Sequence, residues 1–344
     1  MALKPPVEVP QGAIRLNTDS QKLEFFAQDQ WWEMATDIYT LNGGTRGLLC
    51  GGYENSPTNA GSNQIQYITV ETAGDSIDFG DMCYGARNPS SLASSTRAIT
   101  FGGINSGGSH VNTINASTFA STGSNLDFGD MSAARSRSGA VSNGVRGVFM
   151  GGAKQGSPGY DSRIDYINIA TTGNAVDSGF DVANNGQYGC SFNSPTRGFF
   201  GCTNADLDAM EYITIASLGN GVEFTSSFLT PNGDFEYRSG SSSTTRGFVA
   251  GGYDEPAHTS EILSMEMASL GRAVEFGDLT TPGGTNEGTG SKIRMITWNR
   301  YSSAHQDVID CFNAATRGDA VDFGDQVLDV RNSGSTSNNH GGLG

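Results

Sequence analysis

The sequence predicts an all-β fold, a six-bladed β-propeller. Two observations carry that expectation: a composition hostile to long helices, and one unit of about 49 residues written six times. The 344 residues include 48 Gly, and only 16% are charged, against roughly 25% in an average soluble protein. Turn-rich, short-strand chemistry of this kind belongs to all-β architectures.

Each unit opens on an Arg-led strand. Thr45-Arg46-Gly47-Leu48-Leu49-Cys50-Gly51-Gly52 returns as Thr245-Arg246-Gly247-Phe248-Val249-Ala250-Gly251-Gly252, and Arg97, Arg146, Arg197 and Arg294 head the variants. A continuous apolar run suits a strand covered on both faces. An alternating strand follows, such as Ile65-Gln66-Tyr67-Ile68-Thr69, then a recurrent glycine (Gly74, Gly123, Gly173, Gly219, Gly271, Gly318) where a tight hairpin favours φ > 0. The unit closes on Asp78-Phe79-Gly80-Asp81 or a variant of it, and the Phe79-type aromatic is expected to fill the wedge between blades. About four short strands per unit match one propeller blade. Six copies of one arginine suit pairing with an Asp or Glu of the same or the next blade, such as the Asp81 or Asp130 class, better than a shared anion site.

Closure is also written in the sequence. Small-residue strands precede the Arg-led ones, as in residues 135–143 and 238–244, and residues 331–339 form such a strand with nothing behind it. The expectation is that it completes blade one beside residues 45–52, because an unpaired edge invites association.

Residues 1–37 stand outside the repeat, and 38–344 form the propeller. Residues 5–10 read as extended. Residues 13–17 and 22–26 alternate around 18–21 as a β-hairpin. With Phe25, Phe26, Trp31 and Trp32 so close together, this extension is the candidate anchor, since two strands bury too little to stand alone.

The formal charge of −16 and pI near 4.5 argue against a phosphate-neutralising nucleic-acid surface. No stretch is long and apolar enough to insert in a membrane, and Met1–Pro6 lacks the apolar core of a signal peptide. Five cysteines without a CxxC pair read as small buried thiols, not a zinc site. Four histidines without ligand spacing, and acidic residues that follow the repeat, give no catalytic constellation. No enzyme, no cofactor and no metal are expected, although calcium at the Asp-Phe-Gly-Asp turns stays open.

A binding face has better grounds. The connections after each Gly-Gly vary most, and they carry Tyr53, Tyr160, Tyr253, His258, Tyr301 and His305, the candidate rim for sugars or a receptor. Units four and six depart from the pattern: Cys202-Thr203 and Asn299-Arg300 replace Gly-Gly, and Trp298 replaces a small apolar residue. Adaptation to a partner and tolerated change are both compatible with that.

The run Gly12–Phe25 with Trp31-Trp32 looks like an N-terminal element of tailed-phage appendage and other virion structural proteins. The Thr-Arg-Gly, Gly-Gly, Tyr-Ile-Thr-Ile and Asp-Phe-Gly-Asp units resemble kelch-like propellers of virion proteins from marine tailed phages. The resemblance covers nearly the whole chain. It implies a non-enzymatic virion subunit made in the host cytoplasm, tethered to other virion proteins through residues 1–37. Its roles would be tail appendage and host attachment, or capsid decoration, with a host surface glycan or receptor as a further partner. The alternatives are a glycan-binding lectin or adhesin, and a polysaccharide hydrolase.

Overall fold

A computed structural model describes residues 9–17, 22–33, 44–54, 60–156, 159–225, 228, 236–254, 256–284 and 287–343. The expected extended segment 5–8, the turn 18–21, and parts of two Gly-Gly connections (55–59, 157–158) lie outside these residues. The chain divides into two compact units, Met1–Gly44 and Thr45–Gly344, which places the boundary a few residues after the 37/38 expected from sequence.

The larger unit contains six four-stranded antiparallel sheets, whose strands are called a to d in sheet order. Sheet 2 is typical: Ser90–Ala93, Arg97–Phe101, Thr113–Thr118 and Leu126–Asp130. Sheets 3 to 6 repeat that order, with strands b at Arg146–Met150, Arg197–Thr203, Arg246–Ala250 and Arg294–Trp298. Sheet 1 takes its strand a from the far end of the chain. Gly334–Ser337 pairs antiparallel with Arg46–Cys50, Gly334 opposite Cys50 and Ser337 opposite Gly47. The predicted closing strand is therefore in place.

Packing follows sequence order. Six separate apolar clusters each join two sheets: 1 with 2, 2 with 3, 3 with 4, 4 with 5, 5 with 6, and 6 with 1. Phe79 sits in the cluster between sheets 1 and 2, against Ala93, Ala98 and Phe119. The wedge role expected of that aromatic holds there, and Phe128, Phe276 and Phe323 occupy the same place in theirs.

Strands a explain their small residues by proximity. Each contacts the strands a of the sheets before and after it. A side chain at Gly288 would strike Gly240 O at 2.5 Å, and one at Gly334 would meet the Ser90 backbone at 3.0 Å. Serine hydroxyls stitch the same contacts: Ser142 Oγ donates to Ala93 O (2.7 Å) and Ser242 Oγ to Asn193 O (2.7 Å).

The repeated arginines join sheets through a backbone acceptor, and among the described residues Arg246 alone also meets the expected carboxylate, Glu266 of its own sheet (2.9 Å). Arg97 Nη1 donates to Ile169 O (2.9 Å), Arg146 to Ile215 O (3.0 Å), Arg197 to Met267 O (3.1 Å), Arg246 to Ala314 O (3.0 Å) and Arg294 to Val70 O (2.9 Å); Arg46 does the same to Phe119 O. Each acceptor closes strand c of the next sheet. The backbone carbonyl serves in every case because strand c ends with carbonyls that its sheet leaves unused. Most of these guanidinium groups also lie over an aromatic ring of their own sheet, such as Tyr67, Tyr166 or Tyr212.

The N-terminal unit contains the expected hairpin and extends it to a three-stranded sheet. Ile14–Asn17 pairs with Lys22–Ala27, which pairs with Gln30–Glu33. Gln28 and Asp29 turn the chain with φ of 53° and 60°, so Trp31-Trp32 forms part of a third strand.

Candidate functional site

The polar strands a of all six sheets line one cavity of about 140 Å³. Its two ends differ. At one end the chain terminus crosses it: His340 Nε2 contacts Ala93 O (3.0 Å) and Ser142 Oγ (3.2 Å), while Gly342 N donates to His340 Nδ1 (3.2 Å). Burial pushes the His340 pKa down to about 4, so the ring is neutral near pH 7, and the Gly342 bond requires that unprotonated Nδ1.

The other end is a mouth built by the residues that enter strands a. Asn88, Arg137, Tyr188, Tyr237 and Asn332 occupy equivalent positions in five sheets, and all have φ between 56° and 64°. The sixth equivalent, Thr285, lies outside the described residues. Left-handed backbone at bulky side chains is costly and tends to mark a constrained site. Here backbone bonds between sheets hold it: Asn88 N donates to Asn332 O (2.7 Å) and Arg137 N to Asn88 O (3.1 Å).

The mouth side chains interlock. The Arg137 guanidinium carbon lies 3.9 Å from the Tyr188 ring centroid, and Tyr188 meets Tyr237 at 4.0 Å. Arg137 Nη1 also donates to Gln187 Oε1 (2.6 Å). Desolvation lowers the Arg137 pKa, with the neighbouring Arg87 adding to it and the two tyrosines opposing it.

All the predicted rim residues stand in a tier beside this mouth. Tyr53, Tyr253 and Tyr301 pair with Arg331, Glu236 and Gly284, each one residue before a mouth position. Arg331 lies over Tyr53 (5.0 Å) and Tyr301 (4.4 Å), and Arg87 over Tyr53 (5.5 Å). His258 lies tilted against Tyr253 and His305 meets Tyr301 edge to face, and Tyr160 OH accepts from Asn204 Nδ2 (3.0 Å). Sequence reasoning found this tier but missed the mouth itself. The signal was available as two aromatics and an Arg in otherwise Ser- and Gly-rich entries to strands a.

Units four and six depart from the repeat for reasons internal to the fold. Cys202 (φ 53°) and Asn299 (φ 61°) hold the backbone shape of Gly51 (φ 63°). Arg300 is buried and paired with Asp310 (2.6 Å), as Arg135 is with Asp165 (2.7 Å). Trp298 is buried too, and its Nε1 donates to Ser335 Oγ (2.9 Å) on the closing strand.

The repeat's acidic residues serve as caps. Asp78 Oδ1 accepts from Gly80 N (3.0 Å) and Asp127 Oδ1 from Gly129 N (3.1 Å). Among the described residues, no three His, Cys, Asp or Glu side chains gather as a metal site would require.

The anchor candidates divide between two faces of the N-terminal sheet. Phe25 and Trp32 share register with Ile14, as Leu23 does with Leu16, and these five side chains are exposed on one face. Phe26 and Trp31 pack edge to face on the other, with Arg15 4.1 Å from the Trp31 ring.

No protein-family model matches the chain, and no curated protein matches it in sequence.

Proposed function

We propose that the chain is a non-enzymatic display protein of a phage particle: a six-bladed, kelch-like propeller anchored through its N-terminal sheet, with the arginine- and tyrosine-lined mouth turned toward a host surface. Six sheets with clusters between each and the next, and between the sixth and the first, support the propeller reading. The observation that carries the anchoring role is the apolar face of Ile14, Leu16, Leu23, Phe25 and Trp32. A three-stranded sheet of this size cannot bury such a face by itself, and contiguous exposed apolar side chains mark interaction sites. The resemblance to virion propellers supplies the partner, other virion proteins; tail appendage and capsid decoration both fit it.

The test replaces Leu16 and Phe25 together by Glu and measures incorporation into particles. Loss of incorporation with an unchanged melting temperature for residues 45–344 is expected. Normal incorporation would overturn the anchor. A glycan-binding lectin outside any virion is the second reading, favoured by the aromatic mouth, and a glycan array on the isolated protein measures it.

A further inference from the structure

We infer that the mouth of the central cavity is a binding site for a carboxylate-bearing sugar, of the hexuronic acid kind. The inference deepens the reading of this face as a recognition surface. It does not need the particle assignment.

The donors come first. Asn88 is 5% exposed and lines the cavity, yet its Nδ2 has no hydrogen-bond partner. Both of its backbone polar groups are already used to tie sheets together, so the vacant amide is surplus to the fold. A buried unsatisfied amide costs free energy unless something fills it. Arg137 lines the same cavity, and its Nε is likewise buried without a partner.

Charge selects an anion. The chain carries −16 overall, yet Arg87, Arg137 and Arg331 cluster at this mouth, and none forms an ion pair among the described residues. Elsewhere the fold supplies its buried arginines with carboxylates, as at Arg135 and Arg300. Arg137, half-buried at the mouth, has none, and a guanidinium fork matches a planar carboxylate. One acid does line the cavity, Glu287, and burial raises its pKa well above the usual range.

The lining selects a sugar. About 140 Å³ is close to the roughly 150 Å³ that admits one benzene-sized group, so the cavity takes the carboxylate end and the rest of the ring lies in the mouth. The walls are serine hydroxyls and backbone, which suit a polyhydroxylated ring, and Tyr237, packed on Tyr188, offers an aromatic surface at the entrance. His340 lines the far end.

The experiment titrates the full chain with sodium D-galacturonate, D-galactose, acetate and a capped Gly-Glu-Gly peptide by calorimetry near pH 7. Galacturonate is expected to bind at one site, more tightly than any of the other three. Asn88→Asp, which keeps shape and backbone preference but turns the vacant donor into an acceptor, should weaken it roughly 10- to 100-fold, as should Arg137→Gln. Melting temperatures of both variants exclude unfolding as the cause. No galacturonate binding, equal binding of galactose, acetate or the peptide, or an Asn88→Asp variant that binds normally while folded would each overturn the site. Particle incorporation is read separately, so failure here leaves the display reading standing on its own test.

Discussion

At the scale of single residues, the repeated arginine shows how pattern and role part company. Its six copies announced a contact between units, and the contact exists, but the acceptor is the carbonyl at the end of strand c. No side-chain pattern can show a backbone acceptor, so the partner was invisible in the sequence while the spacing was plain. A charged donor to a carbonyl contributes about 1.5–3 kcal/mol. Arg146→Met, which keeps the stem over Tyr166 but removes the donors, should lower the unfolding free energy of the large unit by about that amount in urea titrations. Arg137→Met at the mouth should cost less than Arg146→Met, because Arg137 meets a half-exposed side-chain amide and no closing carbonyl. Equal losses would mean that the two arginines do the same job. Glu211 was equally hidden. It sits at the bulge of strand c, where Gln66, Asn115, Asp165 and Asp310 stand in other sheets, and it accepts from Ala183 N (2.7 Å) and Asn184 N (3.3 Å) of the preceding sheet's exit. A polar residue after an apolar one in an alternating strand looks like an outward position. The bulge turns it inward to join two sheets.

At the scale of elements, the closing strand carries the most testable claim. Gly334–Ser337 contributes a full strand to sheet 1, Ser333 Oγ donates to Gly51 O (2.9 Å), and Trp298 reaches Ser335 from sheet 6. Removing it exposes Arg46–Cys50 as an edge and opens the clusters on both sides. Truncation after Val330 should therefore lower the melting temperature by ~10 °C or more, with new apolar-dye binding. Truncation after Asn339 spares the strand and removes only the tail over the cavity, so it should cost a few degrees at most. A comparable loss in both would shift the closing role from the strand to the tail. The strand was legible because its Ser- and Gly-rich sequence copies the other five. The third strand of the N-terminal sheet was not, because Trp31-Trp32 reads as an aromatic pair and the Gln28-Asp29 turn that places it lacks the glycine usual at two left-handed positions.

At the scale of the whole molecule, two buried groups in different parts of the fold set opposing dependences on pH. Glu211 has its pKa raised to about 7 from 4.5, mainly by desolvation. A group raised in the folded state gives stability that is complete below its unfolded value and is lost as pH climbs through the folded one, so Glu211 withdraws up to about 3 kcal/mol between pH 4.5 and 7. His340 is lowered to about 4 from 6.5. Its unfolded form binds the proton first, so its contribution is complete above pH 6.5 and falls away toward pH 4. The two windows overlap, and stability should peak between them, on the acid side of neutrality. The net charge of −16 reinforces the alkaline limb through self-repulsion. Melting curves from pH 4 to 8 check the profile. Glu211→Gln should reduce the slope of the limb above pH 5, to which Glu287 also contributes, and His340→Gln should reduce the slope of the limb below pH 6, each leaving the other limb unchanged. A profile that kept both slopes in both variants would place its origin in other titrating groups, Glu287 among them.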